Sequence, residues 1–210
     1  MVARTPTWTV HHGDCLDVMR AMPDASVDAV VTDPPYGVNF RGHEWDDHIP
    51  DWLGEARRVS RGPVVFTTAP ITLWDYPRPD SVMCWEKPGS TTCSPGGAFN
   101  HWAPIPVYGK GSWGVDCYRL AAAVAAMDNL GIAHPCPKPV GLMRWLVRGA
   151  CEQGGIILDC FAGSGTVGVA CVDEGYSFVG IDENPEYVAI ARARIEAAAR
   201  APTFDFGATP

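Results

Sequence analysis

The chain has 210 residues, 47% of them hydrophobic and 19% charged, with a net charge of -8. That suits one compact domain and excludes a disordered tail, a collagen-like chain and a coiled coil. No run of about 18 apolar residues occurs, and Met1-Val2-Ala3-Arg4-Thr5-Pro6 lacks the apolar core of a signal peptide, so a cytoplasmic protein without a membrane span is expected.

The predicted elements alternate in an α/β manner. Thr7–Val10 reads as a strand and Cys15–Met22 as a short helix with Asp14 at its N-cap. Pro23–Ser26 is a turn, and Val27–Thr32 is an apolar, β-branched run that suits a buried strand. That strand stops at Asp33-Pro34-Pro35-Tyr36-Gly37. Trp52–Val59 reads as a helix and Pro63–Thr67 as the next strand. From Lys87 to about Gly114 periodicity is lost, apart from a strand-like Ile105–Tyr108; Leu120–Leu130 reads as a short helix. Pro139 opens a helix with Leu142, Met143, Leu146, Val147 and Ala150 at helical spacing, which Gly154-Gly155 is expected to end. Then come a strand (Ile156–Asp159), a glycine loop (Phe161–Thr166) and a helix (Val167–Val172) stopped by Gly175. A second strand (Tyr176–Ile181) ends in Asp182-Glu183, and Asn184-Pro185 caps a helix running to about Arg200. Strand, glycine loop, helix, strand and acid form one βαβ unit of an open parallel sheet.

Two segments carry chemistry. In Asp159-Cys160-Phe161-Ala162-Gly163-Ser164-Gly165-Thr166, the glycines let the backbone turn sharply and a ligand approach it closely. Asp182, at the end of the next strand, can accept both hydroxyls of a ribose. A nucleoside-containing cofactor is therefore expected there. Gly163-Ser164-Gly165-Thr166-Val167-Gly168 matches G-x-G-x-x-G, so a nicotinamide or flavin dinucleotide is one alternative. Against it, only one strand–helix unit remains before Pro210, and Asp159 would face the ligand's phosphates. S-adenosylmethionine, with a sulfonium and an ammonium group, suits an acidic approach better.

The second segment is Thr32-Asp33-Pro34-Pro35-Tyr36-Gly37. The consecutive prolines fix a loop and remove competing N–H groups. The Asp33 carboxylate and the Pro34 carbonyl then form two acceptors aimed at one point, and an exocyclic amine has two hydrogens to offer. Tyr36 supplies a flat face for the ring that bears the amine.

These residues resemble the DNA amino-methyltransferases, which methylate adenine N6 or cytosine N4. Asp33-Pro34-Pro35-Tyr36 is similar to their catalytic motif, Phe161-Ala162-Gly163-Ser164-Gly165-Thr166 to their S-adenosylmethionine loop, and His134-Pro135-Cys136-Pro137-Lys138-Pro139 to their H-P-x-x-K-P motif. Gly13-Asp14-Cys15 resembles the segment whose Asp contacts the cofactor's adenine, and Asp182, with Glu183 beside it, takes the place of the ribose-binding acid. Catalytic motif first and cofactor motif last is the permuted, beta-type order. The resemblance implies a single-domain α/β fold: a doubly wound, mostly parallel seven-stranded sheet, Rossmann-like and circularly permuted. It implies catalysis by Asp33, Pro34, Pro35 and Tyr36. It implies S-adenosylmethionine bound by Asp14, Cys15, Lys138, Asp159, Phe161, Gly163, Ser164, Gly165, Thr166, Asp182 and Glu183. The base leaves the duplex, its amine attacks the methyl group in line, and neither a metal nor a cysteine nucleophile is needed. Asp rather than Ser before Pro-Pro-Tyr favours adenine N6 over cytosine N4.

DNA is then the expected partner, with a restriction endonuclease as a candidate second one. The target-recognition candidates are the segments 38–61 and 87–133, with His43, Trp45, Lys87, Trp102, Lys110, Trp113 and Arg119 able to touch bases or phosphates. The acidic balance gives no bulk attraction to a polyanion, so any such surface is local, along Arg57, Arg58 and Arg61, Lys87, Lys110 and Arg119, or Lys138, Arg144 and Arg148. A short recognition region points to relaxed sequence preference or to a homodimer that pools its surface. An RNA or protein amine methyltransferase and a non-catalytic DNA-binding module are the other classes the motifs leave open. The eight cysteines form no C-x-x-C pair and read as buried thiols, with no zinc site expected.

Overall fold

The computed structural model describes residues 6–42, 44–91, 97–128 and 131–201. Eight strands form one sheet: β1 (Trp8–His12), β2 (Ala29–Thr32), β3 (Val64–Phe66), β4 (Ser81–Glu86), β5 (Trp102–Tyr108), β6 (Cys117–Arg119), β7 (Ile156–Asp159) and β8 (Ser177–Asp182). Their order across the sheet is β1-β8-β7-β2-β3-β5-β4-β6. Only β5 runs against its neighbours, β3 and β4; the other pairs are parallel. The expected seven strands are therefore corrected to eight. Sequence pattern announced neither β4 nor β6, which lies on the far edge, just after the Lys87–Gly114 segment read as irregular.

Helices α1 (Cys15–Ala21), α2 (Leu53–Val59), α3 (Ala122–Asp128), α4 (Val140–Ala150), α5 (Thr166–Glu174) and α6 (Pro185–Arg200) complete the fold. Alternation along the strands sorts the core into two layers. Ala29, Val31 and Ile157 point into one with α4, α5 and α6, while Val30 and Leu158 point into the other with Met19 of α1 and Ala56 of α2. The caps follow the local chemistry. Asp14 accepts the amides of Leu16 and Asp17, Asn184 accepts those of Glu186 and Tyr187 with Pro185 behind it, and Gly175 closes α5 at φ +78°. One expected boundary is wrong. α4 ends where Cys151 turns extended, ahead of Gly154-Gly155, so the glycines lie in the following turn. Helix α3 covers part of the expected Leu120–Leu130, whose last two residues lie outside those described.

The topology fixes where a site can form. β2 and β7 are neighbours, yet the chain leaves them for opposite faces, to α2 from β2 and to α5 from β7. Such a switch point leaves a crevice beyond the carboxyl ends of the two strands. Both sequence motifs begin there. On the other side of β2, the β3–β5 pairing stops at Val65–Val107, because Pro106 next to it has no amide to donate. Past it the Thr67 amide donates to the Thr32 carbonyl at 3.4 Å and the Thr68 amide to the Pro104 carbonyl at 3.2 Å, which keeps the chain beside the crevice.

Candidate active site

The two motifs are joined at their bases. Thr32, the last residue of β2, donates its hydroxyl to Asp159 Oδ1 at 2.5 Å. The same oxygen accepts the Phe161 amide at 3.1 Å, so one carboxylate ties the catalytic strand to the start of the glycine loop. Asp159 is 2% exposed, and burial raises its pKa to about 7.

Asp33 stands at the centre of the catalytic loop. Its Oδ1 accepts the Tyr36 hydroxyl at 2.8 Å and, on a short bond, the Thr67 hydroxyl from the end of β3. Its Oδ2 accepts Lys138 Nζ at 2.6 Å, and that ammonium also lies 5.1 Å from the centre of the Tyr36 ring. Burial lowers the affinity of Lys138 for its proton, but Asp33, together with Tyr36 and Cys136, more than reverses this and holds the amine well above its usual value. Burial and then Asp33 raise Tyr36 beyond the ordinary phenol range, so its hydroxyl keeps the proton it donates. The loop itself hangs on Asp46. This buried carboxylate accepts the amides of Tyr36 (2.5 Å), Gly37 (3.0 Å) and Phe40 (2.9 Å). Gly37 sits at φ +67°, where an added Cβ would stand 3.0 Å from Ile49. Asp46 lies within the segment that sequence reading assigned to target recognition; its work is to shape the catalytic loop.

The glycine loop is braced from three sides. Asp182 Oδ2 accepts the Gly163 amide at 2.7 Å and its Oδ1 accepts that of Asn184 at 2.9 Å; burial raises its pKa. Arg194 of α6 donates to the Ser164 carbonyl at 2.6 Å and to Thr166 Oγ1 at 3.2 Å. Gly165 lets α6 come so close that a Cβ there would lie 2.8 Å from Ala191. At Gly163 a Cβ would meet the His134 ring at 3.1 Å, and that ring stands edge-on to Tyr187 with centroids 4.5 Å apart. The segment His134–Lys138 thus spans both halves of the site. Its first residue lies on the cofactor-type loop and its last on the catalytic carboxylate. Lys138, assigned to the cofactor by resemblance, donates to Asp33.

The remaining assigned residues lie around these two loops. Phe161 packs edge-on against Trp52 at 5.5 Å. Asp14 uses Oδ1 to cap α1, beside a shallow groove lined by His11, Gly13 and Val18. Cys15 is partly buried, and burial with Asp14 pushes its thiol up to about 12. Glu183 is exposed next to Asp182. Asp14, Asp159, Asp182 and Glu183 make this side of the crevice acidic. That suits a cationic ligand and opposes a dinucleotide's phosphates.

The expected DNA contacts divide by sheet edge. Lys87 follows β4 and Arg119 ends β6, and both strands run parallel to β3, so these cations lie toward the catalytic edge. Trp102, at the start of antiparallel β5, joins them and is 43% exposed. Lys110 follows the other end of β5, beside the start of β3, which places it on the opposite edge. Trp113 donates Nε1 to the Leu146 carbonyl at 3.0 Å and packs under α4. Trp45 is half-buried with its ring 6.5 Å from Phe40, and His43 lies outside the described residues. Most of the arginine clusters are internal ties. Arg58 binds the Met19 and Met22 carbonyls with Glu55 and Asp24, Arg61 pairs with Asp28, and Arg144 and Arg148 pair with Asp173 and Glu174. Among the described residues no helix is long and apolar enough to cross a membrane, no cluster of metal-type ligands occurs, and the cysteines are free thiols.

A doubly wound sheet whose switch point joins an Asp-Pro-Pro-Tyr loop to a glycine loop defines a Rossmann-like methyltransferase. A family model described as DNA methylase, for N6 and N4 enzymes, matches residues 108–193. The DNA adenine methyltransferase YhdJ of Escherichia coli (strain K12) is 26% identical over 90% of this chain and 83% of its own length. The solved M1.HpyAVI–SAM complex has a TM-score of 0.68 at 19% identity, over 90% of this chain and 100% of that one. The cytosine-N4-specific PvuII DNA methyltransferase reaches 0.68 at 18% identity, over 95% and 88%. Over residues 108–193 the chain is thus similar to the DNA amino-methyltransferases, the class of adenine-N6 and cytosine-N4 enzymes, and its fold is theirs.

Proposed function

We propose that the protein transfers a methyl group from S-adenosylmethionine to the N6 amine of an adenine turned out of a DNA duplex. The observation that carries this is the junction of the two loops: Thr32 bonded to Asp159 at one base, and His134–Lys138 strapped across the other. An adenosyl cofactor would lie over the glycine loop, with Asp182 and Asp14 toward its nucleoside and the acidic side toward its cationic groups. When bound, it supplies an electrophilic methyl carbon.

The chain's own residues supply position and charge. A carboxylate offers about four lone-pair sites, so Asp33, although it holds Tyr36, Thr67 and Lys138, keeps one for a hydrogen of the incoming amine. The second hydrogen goes to the Pro34 carbonyl, which leaves the nitrogen lone pair directed across the crevice. Lys138 holds Asp33 fixed in orientation as the base arrives. Catalysis is then orientation within a preset electrostatic frame, with no covalent bond to the enzyme. The proton shed by the methylated amine passes to Asp33 Oδ2, the carboxylate oxygen with an acceptor site to spare.

The test is incubation with methyl-labelled S-adenosylmethionine and separate duplex DNA, RNA and protein pools, followed by mass analysis of the products. N6-methyladenine in DNA is expected. N4-methylcytosine would keep the mechanism and overturn the choice of base, and label only in RNA or protein would overturn the substrate class. Asp33, where cytosine-N4 members more often carry Ser, is the feature favouring adenine.

A further inference from the structure

The loop after β3 carries two apolar side chains that the fold leaves in solvent. The loop is held firmly from beneath. Thr68 and Thr72 hydroxyls are hydrogen-bonded at 3.1 Å, Thr72 also donates to the Ala69 carbonyl at 3.3 Å, and the Asp75 amide donates to the Thr72 carbonyl at 3.1 Å. Leu73 and Tyr76 are buried below, with the Tyr76 ring 4.7 Å from Phe66. On this support Ile71 is 58% exposed and Trp74 is 83% exposed. A tryptophan held out on a fixed turn is neither core nor a loose loop tip.

The strand end shows which edge of the sheet this turn occupies. Thr67 donates to Asp33, so the loop rises from the same edge as the catalytic loop. Thr72 is bonded back to Thr68, and Trp74 follows two residues later, a reach of no more than about 7 Å of chain. On the neighbouring loop, beyond Tyr36, Val38 is 42% exposed. The mouth of the site is thus flanked by apolar side chains.

Size decides the partner. One tryptophan offers about 150–250 Å², far short of the roughly 800 Å² each partner buries in a stable dimer. It matches a single base step. When a base leaves the stack, its neighbours lose a stacking surface, and an apolar wedge can fill the gap. We infer that Trp74 enters the duplex beside the displaced target base and stacks in the space it vacates, with Ile71 against the adjoining groove wall. This inference rests on the DNA methyltransferase reading.

Trp74→Ala and Trp74→Phe are compared with the parent on duplex genomic DNA and on the same DNA heat-denatured, using labelled S-adenosylmethionine. Cofactor affinity, thermal melting and sedimentation are measured alongside. The alanine variant is expected to lose about tenfold in kcat/KM on duplex DNA. Its rate on single strands, cofactor affinity and melting temperature should stay within twofold or a degree or so of the parent's, and phenylalanine should restore most of the loss. Where the parent accepts no single strands, the duplex loss at unchanged cofactor affinity decides. An unchanged duplex rate, or an equal loss on both forms of DNA, would overturn the inference. So would a dimer that falls to monomers in the alanine variant, since the patch would then belong to a second copy. A parent that labels no DNA would instead overturn the enzymatic reading beneath it.

Discussion

At the ends of β2 and β7 two carboxylates stand one strand apart, and their surroundings set them to different tasks. Asp33 is partly open and faces a cation, Lys138, together with two hydroxyls. Asp159 is closed off and meets only a hydroxyl and an amide. Only one position has a counter-charge. Asp33 is thereby fixed in orientation as an acceptor ready for an amine, while Asp159, with a pKa raised by burial to about 7, is half protonated near neutrality and serves as a joint between strands. Carboxylates of the same kind on the same sheet edge become reagent and rivet according to what the next loop brings.

The largest effect should follow from emptying the reagent position. Asp33→Ala is expected to lower methyl transfer by at least about 10²–10³-fold, the scale set by removing one preorganised group from a reacting centre. Cofactor affinity, measured by calorimetry, should stay close to the parent's, because Asp33 has no bond to the glycine loop. Equal loss of both would mean that the two halves of the crevice are not separable.

Removing the counter-charge tests the other half of the comparison. Lys138→Met leaves the partly open Asp33 without its cation, and losing one member of such a pair costs at most the roughly 3–5 kcal/mol of a fully buried one. Urea unfolding should show that loss, together with reduced methyl transfer. The double variant Asp33→Ala/Lys138→Met should recover part of the stability, since neither charge is then left alone. A double variant that simply sums the two losses would break the pairing argument.

The sequence makes the rivet side readable and the reagent side only half so. Along β7, α5, β8 and α6 every cue is local: a β-branched run, a glycine loop, a glycine stop, an Asn-Pro cap. Those elements therefore fall where pattern places them. Asp33-Pro34-Pro35-Tyr36 is equally local and was read for its chemistry. Its setting was not, because the partners are far away in the chain. Lys138 lies 105 positions from Asp33, and Thr67 comes from a separate strand. Asp46 looked like part of a DNA-facing loop, since nothing in a sequence shows that an acid is folded inward to collect three amides. The arginine clusters misled in the same way: charge is visible in sequence, whereas pairing across helices, as in Arg148 with Glu174, exists only after folding. Strands β4 and β6 escaped because each takes its place through a non-local partner, β4 on β5 and β6 on β4, and β5 was read only over Ile105–Tyr108, short of its Pro104 half.

The rivet can be tested by pH. Between the ordinary carboxylate value of 3.8 and about 7, Asp159 is protonated in the folded chain and ionised in the unfolded one. The native state then binds the extra proton, so stability contributed by this site falls as pH rises through that window and levels off above it. The slope is about 1.4 kcal/mol per pH unit, several kcal/mol in all. Asp159→Asn keeps an oxygen to accept from Thr32 and Phe161 but cannot ionise. Its melting temperature should gain steadily on the parent's from pH 4 to about pH 7 and keep a constant lead above that. A constant difference between the two proteins below about pH 7 would mean that Asp159 does not titrate there.

The smallest expected effect concerns the acid at the next strand end. Asp182 spends its two oxygens on the Gly163 and Asn184 amides, each with a lone pair to spare. A ribose would therefore find the carboxylate already aimed, and hydroxyl donors to a charged group contribute about 1–3 kcal/mol. Asp182→Asn can retain one amide bond and should weaken S-adenosylmethionine binding by the lower part of that range; Asp182→Ala, which also releases the Gly163 amide, should reach the upper part. Adenosine alone should lose affinity in parallel with the full cofactor, because the contact is to its sugar. If adenosine binding were untouched while the cofactor weakened, the carboxylate would be serving the cationic end of the ligand, and the ribose would be held by the neighbouring Glu183.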